Sequence, residues 1–135
     1  MNYKTFDYPY SKENLLALYQ RCNKQDVSCY SLADLADVPQ NMFPRMDIFE
    51  RKLDIKEYVL GSLIGETGFQ TNPGNNGLII FPVDGVLEFT FEDGTVVEIT
   101  EPTITNGKVS HNIKPKNDSA VFFAIKIPED MTWLI

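Results

Sequence analysis

The sequence predicts a mainly β protein in which a small antiparallel barrel follows an N-terminal helical cover. Short apolar runs separated by tight turns fill residues 77–127, and this order is typical of antiparallel barrels. The clearest helical periodicity lies before residue 56. A chain of 135 residues is long enough for one core and short for two. We therefore expect one domain, 1–135, with an arm and helical cover over 1–55, the barrel over 56–127 and a C-terminal tail over 128–135.

The cover is predicted from an aromatic arm and one helix. Aromatic residues around Pro9 in 3–10 indicate an extended arm that packs on the body. Ser11 is a good N-cap, and apolar residues at helical spacing predict a helix from Lys12 to Cys22. A second short helix is predicted after Ser31, ending near 37–39. The mixed pattern of 40–54 predicts a loop.

The barrel is predicted to begin with a strand over 56–64, whose glycines, Gly61 and Gly65, indicate a bulge. A long turn-rich connection follows over 69–77. The final strand is predicted over 120–127, where apolar residues run almost without interruption.

The apolar pattern of residues 86–100 selects one hairpin register. A three-residue loop over 92–94, with Gly94 left-handed, pairs Phe89 with Val97 and separates apolar from polar side chains. A two-residue loop would mix them on both faces. The chosen register places Glu88 opposite Glu98, a like-charge pair that costs a few tenths of a kcal/mol. Residues expected to be mostly buried are Phe89, Phe91, Val97, Ile99, Val121, Phe123 and Ile125.

Composition and charge disfavour several classes of function. Nineteen acidic against twelve basic residues give a net charge of -7, and the basic residues form no stripe, so we expect no nucleic-acid partner. We see no signal peptide and no apolar run long enough for a membrane span, which predicts a soluble, intracellular protein without a membrane partner. The spacing of Cys22 and Cys29 fits neither a redox motif nor a zinc cluster, so two reduced thiols are expected.

The order of elements resembles the double-stranded β-helix, or jelly roll, of the cupin superfamily. More narrowly, it resembles the small 2-oxoglutarate and iron(II) dependent oxygenases of the prolyl and aspartyl/asparaginyl hydroxylase type. The similarity covers about residues 69–127. Its matching segments are 78–82, Asn106-Gly107, His111 and 117–119. The resemblance implies a cupin-like barrel in which His111 corresponds to the distal ligand of a facial iron triad.

The remaining functional positions of that family are not found. The family holds iron with a His-x-Asp pair before the distal histidine, whereas this chain has a single histidine and carries Gln70-Thr71-Asn72 at the corresponding place. The family's cosubstrate-binding Arg on the last strand is also missing, since that strand carries Lys126 as its cation. Gln70 and Asn72 are also explained as ordinary turn residues. The resemblance thus yields a candidate pocket of His111, Gln70, Asn72 and Lys126.

His111 has two interpretations. It is either a surviving metal ligand or a pocket histidine hydrogen-bonded by Ser110 or Asn112, and a lone histidine seldom holds a metal tightly. A metal site of unusual geometry would need a carboxylate from Asp84, Glu88 or Glu101.

Two hypotheses follow. The first is a noncatalytic binding or assembly module derived from an oxygenase-type barrel, with no catalytic residue, no metal and no cofactor expected. Its partner would be a small molecule or a protein, and pairing of barrels makes a homodimer plausible. The alternative is a metal-dependent enzyme, of the 2-oxoglutarate and iron type or another cupin enzyme, built around His111. We favour the first.

Overall fold

The computed structural model describes residues 3–22, 27–31, 34–35, 37–39, 43–44, 57–65, 69–71, 77–105 and 111–127. Its elements are β1 (Tyr3–Thr5), α1 (Lys12–Cys22), β2 (Val27–Tyr30), β3 (Glu57–Ile64), β4 (Phe69–Thr71), β5 (Gly77–Asp84), β6 (Leu87–Phe91), β7 (Val96–Ile99), β8 (Thr103–Thr105), β9 (His111–Pro115) and β10 (Ser119–Ile127).

The strands form two antiparallel sheets whose order is that of a jelly roll. Sheet A has the order β1-β8-β5-β10-β3-β2, and sheet B has the order β4-β9-β6-β7. Within the eight strands β3 to β10, the first and last are neighbours in sheet A, and successive strands change sheet at every step except from β6 to β7, which form a hairpin in sheet B. The predicted fold class is therefore confirmed: a mainly β, antiparallel jelly roll with an N-terminal helix.

The hairpin of β6 and β7 has the predicted register. Phe89 is opposite Val97 and Glu88 is opposite Glu98, and Gly94 has a φ of 91°. Each of the two glutamates also forms an ion pair that the sequence did not show. Lys114 Nζ lies 3.7 Å from Glu88 Oε1, and Lys116 pairs with Glu98. These ion pairs offset the repulsion between the two glutamates. Each pair contributes little to stability, because this face of sheet B is exposed to solvent.

Sheet A is buried on both faces, so the protein has two apolar cores. One core lies between the sheets and contains Leu87, Phe89 and Phe122. The other lies between sheet A and the N-terminal cover and contains Leu15, Phe81 and Phe123. Of the seven residues predicted to be buried, five are at most 2% exposed. Val97 and Val121 are only partly buried, since one lies on the edge strand β7 and the other at the start of β10.

The cover follows the predicted pattern where it is described. Helix α1 spans Lys12–Cys22, and its N-cap is formed because the Asn14 amide donates to Ser11 Oγ at 3.1 Å. The second predicted helix falls partly outside the described residues. The described part is a turn in which the Ser31 amide donates to Asp34 Oδ2 at 2.8 Å and the Asp34 amide donates back to Ser31 Oγ at 3.2 Å. Most of 40–54 also lies outside the described residues.

The aromatic arm is held to sheet A at Phe81. The rings of Phe6, Tyr8 and Tyr10 meet the Phe81 ring edge-on, with centroids 5.3–6.1 Å apart. The Tyr10 hydroxyl donates to the Pro82 carbonyl at 2.6 Å. Strand β8 pairs with Leu78, Ile79 and Ile80 of β5 and does not extend to Pro82. The arm therefore supplies a hydrogen-bond donor to a β5 carbonyl that lies beyond β8.

The predicted bulge at Gly61 is wrong. Gly61 is in regular register with Val27 on one side and Phe122 on the other. The irregularity lies instead between Val121 and Phe122, where β10 pairs with β5. Gly61 is directly opposite Phe122. Because glycine has no side chain, it leaves space for the Phe122 ring without changing the register of the strand.

Truncation of Phe89 to Ala should destabilise the protein by roughly 3–5 kcal/mol, because Phe89 is fully buried between the sheets. The free energy of unfolding from chemical denaturation measures the loss. Thr90→Ala is the matched control, since Thr90 is the next residue on β6 and is only partly buried. A loss below about 1 kcal/mol for Phe89→Ala would contradict the assigned core.

The phenol of Tyr10 should make stability depend on pH in the alkaline range. Burial raises the pKa of Tyr10 from its ordinary value of 10.0 to about 12. The folded protein then retains a proton that the unfolded chain has lost, so stability that is present below pH 10.0 is lost as the pH rises to about 12. Over this range the melting temperature of the wild type should fall more steeply than that of Tyr10→Phe. Parallel curves would show that Tyr10 ionises equally in both states.

Candidate functional site

Two of the candidate residues, His111 and Lys126, belong to strands that meet at one end of the barrel, here called the His111 end. In sheet B, His111 is opposite Phe91 on one side and Thr71 on the other. In sheet A, a row of cross-strand partners runs Tyr3, Thr105, Leu78 and Lys126. The rings of Tyr3 and Phe91 stack with centroids 5.8 Å apart, so the two rows meet at the same end of the barrel.

Lys126 belongs to the inner face of sheet A by position. Strand residues alternate between faces, and Phe122 and Ala124 of the same strand lie in the core between the sheets. Lys126 is two residues further along and is partly buried. Its place therefore differs from that of Lys114, which is on the outer face of sheet B beside Glu88.

The barrel interior beyond this end is filled by apolar side chains. Every described inward position of β6 is apolar and at most 2% exposed. The core between the sheets consists of Val59, Leu63, Ile80, Leu87, Phe89, Phe91, Ile99, Ile113, Ala120, Phe122 and Ala124. Among the described residues, the buried polar side chains are Thr103 and Thr105.

Two buried hydroxyls belong to β8 near the His111 end. Thr103 and Thr105 are 0% and 1% exposed. The Thr103 hydroxyl donates to the Glu101 carbonyl at 2.8 Å, which satisfies it within the chain. The Thr105 hydroxyl is 3.5 Å from the Leu78 carbonyl, at the long limit of a hydrogen bond. Sequence analysis missed Thr105 and Tyr3, because nothing in the pattern of β1 or β8 shows that they share a row with Lys126.

Gln70 and His111 are at register positions of opposite faces. Gln70 pairs with Asn112, whereas Thr71 pairs with His111. Directly opposite residues share a face and neighbouring residues alternate, so the backbone brings position 71, and not 70, beside His111. Asn72 lies outside the described residues. A pocket that includes Gln70 and Asn72 with His111 stays a prediction.

Asp84 and Glu88, two of the carboxylates considered for a metal site, lie away from His111. Asp84 ends β5 and Glu88 follows at the start of β6, whereas His111 is opposite Phe91 at the far end of that strand. The four residue steps between Leu87 and Phe91 correspond to about 13 Å. Within the described ranges no three side chains of His, Cys, Asp or Glu are grouped as metal ligands would be, so the described donors do not fit an iron triad.

Comparisons with known proteins find partial similarity among solved structures. No protein-family model matches the sequence, and no curated protein matches it. Among solved structures, protein NMB1881 from Neisseria meningitidis is similar with a TM-score of 0.44 and 20% identity, over 53% of this chain and 72% of that one. A cupin domain from Bordetella pertussis is similar with a TM-score of 0.44 and 15% identity, over 58% and 86%.

Ectoine synthase from P. lautus is also similar, with a TM-score of 0.43 and 15% identity, over 54% of this chain and 52% of the synthase. This chain thus matches about half of that protein. The jelly roll is defined by the strand order described above and not by these similarities. In the described part of the chain no helix is long and apolar enough to cross a bilayer.

Thr71→His should create a two-histidine metal clamp with His111. Directly opposite strand residues have Cβ atoms about 4.5–5.5 Å apart, a distance that two imidazoles can bridge through one metal ion. Added nickel(II) or zinc(II) should raise the melting temperature of Thr71→His, because the metal binds the folded state. The rise should disappear in Thr71→His with His111→Ala.

Gln70→His is the matched control for this clamp. It adds the same imidazole one residue away, at the position paired with Asn112, and should respond to metal like the wild type. A metal-dependent rise in Gln70→His with Asn72→Asp, and none in Thr71→His, would instead support the pocket predicted from the family resemblance.

Proposed function

We propose that this protein is a noncatalytic binding module of cupin-like fold, which binds a small anionic molecule at the His111 end of its barrel. The observation that supports the proposal is the contrast between the apolar core between the sheets and the polar residues Thr105 and Lys126 at the His111 end. The described core between the sheets is built from apolar side chains, whereas Thr105 and Lys126 share a row at the His111 end. No cofactor is required for binding of this kind.

The chemistry of the His111 end favours a small ligand with a carboxylate or similar anionic group. Lys126 is partly buried at an inner position of β10, and a desolvated ammonium interacts more strongly with an anion than an exposed one does. The Thr105 hydroxyl is in the same row. The stacked rings of Tyr3 and Phe91 give this end an apolar wall, which suits the carbon skeleton of an organic anion.

The proposal includes neither nucleic acid nor a membrane as partner. A net charge of -7 repels a polyphosphate. A homodimer is compatible with the fold, and the molar mass in solution from light scattering would establish it. A dimer would leave the binding site unchanged if pairing used the outer face of sheet B.

The purified protein should neither retain stoichiometric iron nor convert 2-oxoglutarate to succinate in the presence of oxygen. The facial triad of that reaction needs three ligands, and this chain has one histidine. Metal content is measured by mass spectrometry and succinate by chromatography. Succinate formation above that of a metal-stripped sample, abolished by His111→Ala, would replace the binding module by the alternative enzyme.

A panel of small mono- and dicarboxylates, including succinate and 2-oxoglutarate, should contain compounds that raise the melting temperature, because a ligand that binds only the folded state stabilises it. Lys126→Ala should remove the rise. Lys114→Ala is the matched control, since it deletes a lysine on the outer face of sheet B, and it should keep the rise. Equal responses of the two variants, or no response of the wild type, would count against a carboxylate site at Lys126.

A further inference from the structure

Two Asp-Gly pairs occupy tight turns of the barrel. Gly85 follows Asp84 in the turn between β5 and β6, and Gly94 follows Asp93 in the turn between β6 and β7. Both glycines have a positive φ, 71° and 91°. Both aspartates are exposed to solvent. The pairs thus share sequence, exposure and turn character, and differ in their hydrogen bonds.

The chemistry open to an Asp-Gly pair is closure of a succinimide ring. The main-chain nitrogen of the glycine attacks Cγ of the aspartic acid, a nitrogen–carbon bond forms, and the amide proton leaves with the Cγ hydroxyl as water. Water then opens the ring at either carbonyl. Opening at the main-chain carbonyl gives isoaspartate, in which the chain runs through the former side chain, and the mass is unchanged.

The hydrogen bonds of the two turns place their reacting groups differently. The Gly85 amide donates to Asp84 Oδ1 at 3.0 Å, so the nitrogen and the carboxyl group that would react are already in contact. At the other turn, the Gly94 amide donates to the Phe91 carbonyl at 3.0 Å. Asp93 Oδ1 accepts from the Thr95 amide at 2.9 Å. Ring closure at Asp93 must break both of these bonds with third groups, whereas closure at Asp84 breaks neither.

We propose that Asp84-Gly85 is a site of spontaneous isoaspartate formation in the folded protein, and that the modified residue is a substrate for methyltransferases that recognise L-isoaspartyl groups. This inference is independent of the binding function, because Asp84 lies at the end of the barrel away from His111.

Modification at Asp84 would act on the link between the two sheets. Gly85 packs against β10 so closely that a Cβ built on it would lie 2.5 Å from the Ser119 carbonyl oxygen. The Lys116 amide also donates to the Val86 carbonyl at 2.9 Å beside the turn. An isoaspartyl residue lengthens the main chain by one methylene at this point. The tight packing of Gly85 on Ser119 could not then be kept unchanged.

The test compares the two turns in the same folded, full-length wild-type sample. After prolonged incubation at physiological temperature and neutral pH, isoaspartate is located by peptide mapping with electron-transfer fragmentation and quantified by isoaspartyl methyltransferase labelling. Residue 84 should carry about 30-fold more isoaspartate than residue 93, the factor that corresponds to the two hydrogen bonds with third groups that must break at Asp93. In strong denaturant the two pairs should react at similar rates, because they share the dipeptide and lack the fold.

Two variants show which aspartate gives rise to the isoaspartate signal. Asp84→Glu should remove it at residue 84 and leave residue 93 unchanged, because glutamate would have to close a larger ring, and Asp93→Glu should do the reverse. Circular dichroism confirms that each variant is folded. Equal or greater isoaspartate at residue 93 in the folded wild type would overturn the proposal, and so would a ratio that is the same in denaturant.

Discussion

Burial of β10 on both of its faces is the constraint on which the rest of the structure depends. Its residues alternate between two cores, with Ala120, Phe122 and Ala124 toward sheet B and Phe123 and Ile125 toward the cover. The inward set has one large ring between two alanines. That spacing leaves room for the phenylalanines of β6, and Gly61 on the neighbouring strand leaves room for Phe122. A strand buried in this way must be apolar almost throughout.

Because sheet A has a second buried face, the N-terminal residues are part of the fold and not an appendage. Leu15 and Leu18 of α1 are completely buried against that face, and the arm surrounds Phe81 with three aromatic rings. Without them, Ile79, Phe81, Phe123 and Ile125 would face water. Aromatic contacts of this kind stabilise beyond the area that they bury, and the Tyr10 hydroxyl adds a hydrogen bond to the Pro82 carbonyl.

The arm also connects the cover to the His111 end. Tyr3 belongs to the same arm, but its ring stacks on Phe91 between the sheets and not on Phe81 outside them. The arm therefore begins at the barrel end that carries Lys126 and continues across sheet A toward helix α1. A ligand at that end would contact a residue whose position depends on strand pairing between β1 and β8. Packing of the cover and affinity for the proposed ligand would in this way be physically linked.

Interactions between residues close in sequence determined several elements of this fold. The helix from Lys12 to Cys22 and the register of the β6–β7 hairpin follow from capping, periodicity and turn length, which act between residues close in sequence. The single histidine and the absence of a His-x-Asp pair are likewise properties of the sequence. Local patterns of this kind sufficed to predict an antiparallel barrel and to disfavour an iron triad, whereas the jelly roll was implied by the family resemblance.

Pairings between distant segments were decided only by the tertiary structure. The sequence did not show that Thr71, and not Gln70, is opposite His111, because β4 has three residues and no alternation that would assign its faces. Nor did it show that Val121 and Phe123 pack under the cover, in a different core from Phe89. An apolar residue is suited to either side of a sheet buried on both faces, so hydrophobicity alone carries no information about which core it joins.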